Sequence, residues 1–129
     1  MSINTEISFG EFLDKLTILD IKSERIQDKE KLENVRHERN VLGKIWKKHE
    51  KSSIDISAEY ASLKKINEKL WEIEDLIRDK ERNKEFDQEF VELARSVYFT
   101  NDDRARIKKE INMKLGSDLI EEKSYTDYV

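Results

Sequence analysis

The residues best suited to chemistry in this chain fall into two polar clusters set among apolar neighbours. In the first, Asp14, Lys15, Thr17, Lys22 and Arg25 interrupt an otherwise broad apolar surface. In the second, Asn101, Asp102, Asp103, Arg104, Arg106, Lys108, Lys109 and Asn112 crowd together after Thr100. Thr100-Asn-Asp-Asp103 reads as a helix start capped by Thr100 or Asn101. A helix N-terminus offers free N–H groups, and here Arg and Lys follow one turn later, which suits an anion or a sugar. The same residue types also serve as caps and ion pairs that tie a helix into a bundle.

Acidic pairs are weaker signals. Glu89-x-x-Glu92 and Glu72-x-x-Asp75 resemble the Mg²⁺-binding carboxylates of all-helical nucleotide pyrophosphohydrolases. With 29 acids among 129 residues, chance alone places roughly six acidic pairs at any one spacing. No glycine-rich or lysine-rich phosphate loop accompanies them, so solvated helix faces with i,i+4 ion pairs are the better reading. The two histidines, His37 and His49, stand twelve residues apart, too far along a helix to share a metal. Cysteine is absent, which excludes disulfides and thiolate metal sites. No catalytic residue, metal site or cofactor is assigned. Charge is unevenly spread: Arg36 to Lys51 nets +4, whereas Glu72 to Glu92 nets −5. Such asymmetry suits an electrostatic docking surface or a self-complementary dimer.

These residues must be positioned by helices. A chain of 129 residues with 42% charged residues, three glycines and no proline lacks the turn chemistry of sheets and suits long helices with solvated faces. Its apolar residues are periodic, which argues against disorder. The first residues lack the basic and apolar run of a signal peptide, and no stretch approaches the ~20 apolar residues of a membrane span, so a cytoplasmic protein without a membrane partner is expected. A net charge of −4 disfavours a nucleic-acid partner.

Ser8-Phe-Gly-Glu11 reads as a capping box. The helix it opens carries Phe9, Phe12, Leu13, Leu16, Ile18, Leu19, Ile21 and Ile26, a surface wider than one neighbour covers. One long helix is predicted from about Phe9 to Glu50, kinked near Gln27 or Gly43; the alternative is two helices broken at Gln27–Lys31. A narrow stripe follows in Leu32, Val35, Leu42 and Trp46, and a second in Leu63, Ile66, Leu70, Ile73 and Ile77. Between them, Lys51 to Ser57 forms the turn, with Asp55 or Ser57 capping a helix over about Ala58 to Asn83. Paired antiparallel, the two stripes give position sums of 108 or 109 throughout, a registered hairpin that sets Arg39 opposite Leu70 with Glu74 as its partner. Phe86, Phe90, Leu93, Ala94 and Val97 form another stripe, and Ile107, Ile111 and Leu115 another, ending at Gly116. The tail from Ser117 to Val129 is expected to strap the bundle. With aromatics at Phe9–Phe12 and Phe86–Phe99 marking the core, the prediction is one all-α domain over residues 1–129. It consists of a helical bundle head from about 8–30 and 84–129 and a protruding antiparallel helical hairpin, coiled-coil-like, over about 31–83.

Residues 7–26 (ISFGEFLDKLTILDIKSERI), 98–112 (YFTNDDRARIKKEIN) and 116–125 (GSDLIEEKSY) together resemble a small all-helical protein family of bacteria and phages, a domain of unknown function. Its genes often lie near glycosyltransferase or surface-polysaccharide genes, so the resemblance implies a sugar-related role. It implies no catalytic residues. It does single out the polar positions within those motifs: Asp14, Lys15, Lys22, Arg25, Asn101, Asp102, Arg104, Lys108, Asn112, Lys123, Ser124 and Tyr125. The expected function is that of a non-enzymatic helical interaction or accessory protein, a homo-oligomer (dimer) that can also meet a protein partner. The alternative is a small enzyme or binding domain for a phosphorylated or nucleotide-linked sugar, with the Asn101–Asn112 segment meeting Asp14–Arg25. A metal-dependent nucleotide hydrolase ranks third.

Overall fold

A computed structural model describes residues 1–128. Four α-helices follow one another: α1 (Phe9–Arg25), α2 (Lys29–Lys48), α3 (Ser57–Arg82) and α4 (Gln88–Leu115), with a short 3₁₀ turn at Glu50–Ser53. The Ser8 side chain accepts a hydrogen bond from the Glu11 N–H at 3.1 Å, as the capping box requires. The single long helix is not formed. Ile26 is extended, Asp28 takes a cap conformation, and its carboxylate accepts from the Lys31 N–H at 3.0 Å, so α2 starts afresh. A cap residue in a polar stretch is enough to break a helix without glycine or proline. The break coincides with the two-helix alternative.

Because only three residues join them, α2 folds back on α1. Trp46 meets Phe9 and Phe12 with ring centroids 6.2 and 6.3 Å away, and Arg39 bonds Asp20 at 2.8 Å. The registered α2–α3 hairpin is therefore corrected: the principal partners of α1 are α2, α3 and α4, and the long antiparallel pair is α3 with α4. Arg39 finds Asp20 of α1, not Glu74, which pairs with Arg78 on its own helix. The broad apolar surface of α1 explains the outcome, since it supplies a face for each of three neighbours. The core consists of Leu13, Leu16, Ile56, Leu63, Ile107, Ile111 and Leu115, with Phe9, Phe12 and Trp46 packed against it.

The α3–α4 hairpin outruns α1. Arg25, the last residue of α1, reaches Glu68 and Glu72 at 3.8 and 3.4 Å, and α3 continues for ten more residues, about 15 Å. No residue between Ile73 and Thr100 is buried. A protruding hairpin thus exists, but it is built from α3 and α4. The expectation of core packing holds for Phe9–Phe12 and fails for Phe86–Phe99: Phe86 is 58% exposed because nothing lies over the hairpin there. Lys80 closes the hairpin's end through Glu85, Asp87 and Glu89 at 3.1, 2.9 and 3.1 Å.

Gly116 takes φ +68° and ends α4, with the Ser117 N–H returning to the Asn112 carbonyl at 2.8 Å. The tail then runs back along α4. Lys108 holds Glu121 at 3.2 Å, and Tyr128 donates to Asp102 while its ring meets those of Tyr98 and Phe99. The end of the expected strap, Val129, lies outside the described residues. Among these, no helix is long and apolar enough to cross a membrane.

Candidate functional site

The polar centre of the bundle forms where α1, α3 and α4 meet. Gly10 makes the closest approach: a Cβ there would lie under 3.0 Å from the Lys108 carbonyl oxygen. Its N–H, an orphan of the first helical turn, is taken up by Asn112 Oδ1 at 2.6 Å. One turn on, Asp14 is buried at 3% exposure, facing Arg104 and Lys108, which share one face of α4 at i,i+4 spacing.

Asp14 is thoroughly engaged. Its Oδ1 accepts from Arg104 Nε at 3.1 Å and from Asn67 Nδ2 of α3 at 2.8 Å. Its Oδ2 accepts from Arg104 Nη2, and Lys108 Nζ stands 4.0 Å away. Asn67 also donates to Thr17 Oγ1 at 2.8 Å, whose own hydroxyl donates to the Asp14 carbonyl at 2.7 Å. The carboxylate beside Arg104 raises the guanidinium's already high pKa. Asp14 thus serves as an anchor for Arg104, with three donors on its two oxygens and Lys108 standing near the second.

An open cleft of about 540 Å³ adjoins this network. Ile18, Ile21 and Lys22 of α1 form one wall, Leu70, Trp71, Glu74, Asp75 and Arg78 of α3 another, and Asn67, Asn101 and Arg104 the polar end. Three groups there retain hydrogen-bonding capacity. Arg104 Nη1 makes only a 3.4 Å bond to Asn101 Oδ1. Asn67 is 5% exposed, yet its Oδ1 accepts no bond among the described residues, nor has Lys22 Nζ a hydrogen bond or ion pair there. Beside them Trp71 and the aliphatic side chains supply an apolar wall. Three cations, two carboxylates, two amides and an indole in one cleft match a hydroxylated ring carrying an anionic group.

The twelve polar positions singled out by sequence do not gather in one place. Asp14, Arg104 and Lys108 form the buried network, and Lys22, Asn101 and Arg104 line the cleft. Asn112 holds the start of α1, and Arg25 pairs with Glu68 and Glu72. Lys15 and Ser124 are exposed. Asp102, Lys123 and Tyr125 belong to a separate depression under the tail, where Lys123 lies 5.8 Å from the Tyr125 ring. The helix start at Thr100–Asp103 is corrected: α4 begins at Gln88, capped by Asp87, whose Oδ1 accepts from the Phe90 N–H at 2.9 Å, and runs unbroken through Asn101. Asn101 and Arg104 therefore contribute side chains, and no free N–H groups stand beside them.

Asn67 and Trp71 were not singled out, since they sit on a stripe that reads as scaffold. The signal for Asn67 was its polarity four residues after Leu63, on the inward face of an otherwise apolar helix. Three of the four acids in those pairs are taken by cations, Glu72 by Arg25, Glu89 by Lys80 and Glu92 by Arg95, and Asp75 lines the cleft. Among the described residues no three His, Asp or Glu side chains converge as metal ligands.

Against known families, the model described as "Family of unknown function (DUF6165)" matches residues 3–129. No curated protein and no solved structure gives a match.

Proposed function

The chain belongs to the DUF6165 family, and for this member of it we propose a non-enzymatic role as a binding domain for a phosphorylated or nucleotide-linked sugar. One observation carries the reading. A buried Asp14–Arg104–Asn67 network fixes one end of an open cleft while leaving Arg104 Nη1, Asn67 Oδ1 and Lys22 Nζ available beside Trp71. Preorganised donors on helices hold a ligand without the ordering cost that a loop would add. In this arrangement Trp71 stacks on the sugar face, Asn67 and Asn101 read hydroxyls, and Lys22 with Arg104 takes the phosphate. Glu74 and Asp75 accept from further hydroxyls and weigh against a bare polyanion. Asp14 is committed to three donors, and its part is to position Arg104 for binding.

The test is a titration of the ¹⁵N-labelled chain with glucose 1-phosphate, uridine diphosphate glucose and free glucose, followed at the Trp71 indole N–H signal. Saturable shifts with a Kd of about 1 mM or tighter are expected for the phosphorylated ligands. Lys22→Gln should weaken these at least tenfold and leave free glucose unchanged. A folded protein whose Trp71 signal responds to none of the three refutes the reading.

A further inference from the structure

Two exposed apolar faces of the chain carry opposite charge. On the α3–α4 hairpin, Leu76 (50% exposed) stands across from Val91 (43%), in the register that the Lys80–Asp87 bond sets. The segment around them, Glu72 to Glu92, has nine acids against four bases. On α2, Val41 and Ile45 are 44% and 53% exposed and one turn apart, while Leu42 and Trp46 face the core. Lys44 and Lys48 flank them in the segment that nets +4, and neither lysine has an ion pair among the described residues.

We infer that the occupant of both faces is a second copy of this chain, with the hairpin of one protomer lying against α2 of its partner. The charges decide among the possible pairings. Hairpin against hairpin sets −5 on −5, and α2 against α2 sets +4 on +4, whereas hairpin against α2 sets −5 on +4. Since each protomer carries both faces, a two-fold axis forms the contact twice and closes the assembly as a dimer. The projection of the hairpin beyond α1 leaves it free to reach across. The docking of the two faces does not depend on the cleft being occupied.

The test is sedimentation equilibrium of the full chain at low and high salt, with circular dichroism confirming the fold of each variant. A dimer is expected, with a dissociation constant raised at least tenfold between 50 and 500 mM NaCl. Lys44→Glu with Lys48→Glu should give a monomer, and so should Asp79→Lys with Glu92→Lys. An equimolar mixture of these two variants should dimerise again, because each then offers the other two matched faces; misfolding would not be repaired by mixing. A wild-type monomer at every salt concentration overturns the inference. So does a dimer that survives either pair of substitutions, or a mixture that stays monomeric.

Discussion

Replacing Gly10 by alanine isolates the contact on which the head depends. The new Cβ would come under 3.0 Å from the Lys108 carbonyl and within 3.0 Å of Asn112 Oδ1, while ordinary van der Waals contact begins at 3.4 Å. The Lys108 carbonyl is backbone, so relief requires α1 and α4 to separate. Overpacking of this kind costs about 1–3 kcal/mol. Separation also stretches the 2.6 Å bond from the Gly10 N–H to Asn112, a side chain 2% exposed, and a buried acceptor left unpaired costs a further 1–3 kcal/mol, approximately. Alanine's higher helix propensity returns at most about 1 kcal/mol. The net expectation is a loss of about 1–5 kcal/mol. Gly43 provides the control, because a Cβ there meets nothing within 4 Å and only propensity operates, giving a gain of about 0.5–1 kcal/mol. Urea denaturation followed at 222 nm reads both variants against the wild type. The reasoning is refuted if Gly10→Ala proves as stable as the wild type, or if the two alanine variants shift the midpoint in the same direction.

Other positions yield sharper single readouts. Arg104→Met leaves the Asp14 carboxylate buried without its main partner and should destabilise by about 3 kcal/mol, with much of the loss recovered when Asp14→Asn is added; chemical denaturation of the double-mutant cycle measures it. Lys84 ends α3 at φ +55°, so Lys84→Gly should raise stability by about 1 kcal/mol in thermal unfolding. Asp55 accepts from the Ser57 N–H, which lowers its pKa below the usual 3.8. A depressed native pKa means stability that is present above that value and lost as pH falls below it, so Asp55→Ala should flatten the acid limb of a midpoint-versus-pH curve. Tyr128 is the opposite case. Its hydrogen bond to Asp102 pushes its pKa up to about 12, so its contribution is full below pH 10 and lost as pH rises through 12. Absorbance at 295 nm should show that late transition, and Asp102→Asn should move it down.

Local chemistry was legible in the sequence and partnership was not. Ser8 and Gly116 cap as their types demand, and α3 spans Ser57–Arg82, within a residue of the expected bounds. The pairing of α2 with α3 failed because a heptad stripe names a face without naming what covers it. Any two antiparallel stripes give constant position sums, while the competing broad face of α1 lay next door behind the Asp28 cap. Thr100-Asn-Asp-Asp103 misled for a related reason. Small polar residues cap helices, but they also sit mid-helix where a buried neighbour such as Thr100 or a partner such as Arg104 uses them. In the candidate site, Asp14, Lys22, Asn101, Arg104 and Lys108 were marked by polarity inside apolar motifs. Trp71 carried no mark, since an aromatic residue on a long helix reads as packing.

The Asp14 network has a temporal consequence. Its hydrogen bonds span 90 residues from Asp14 to Arg104, and that of Gly10 to Asn112 spans 102. Of the helices packed on α1, only α2 is within short reach, so the entropic penalty of closing the chain must be met before α1 gains α3 and α4. During synthesis, α1 emerges with a buried-type carboxylate and a broad apolar surface that are not fully covered until the last quarter of the chain is made. Pulse-labelled hydrogen exchange should therefore find α1 and α4 acquiring protection together, after the turn of the α3–α4 hairpin has formed. The two ends of the sequence fold as a single event.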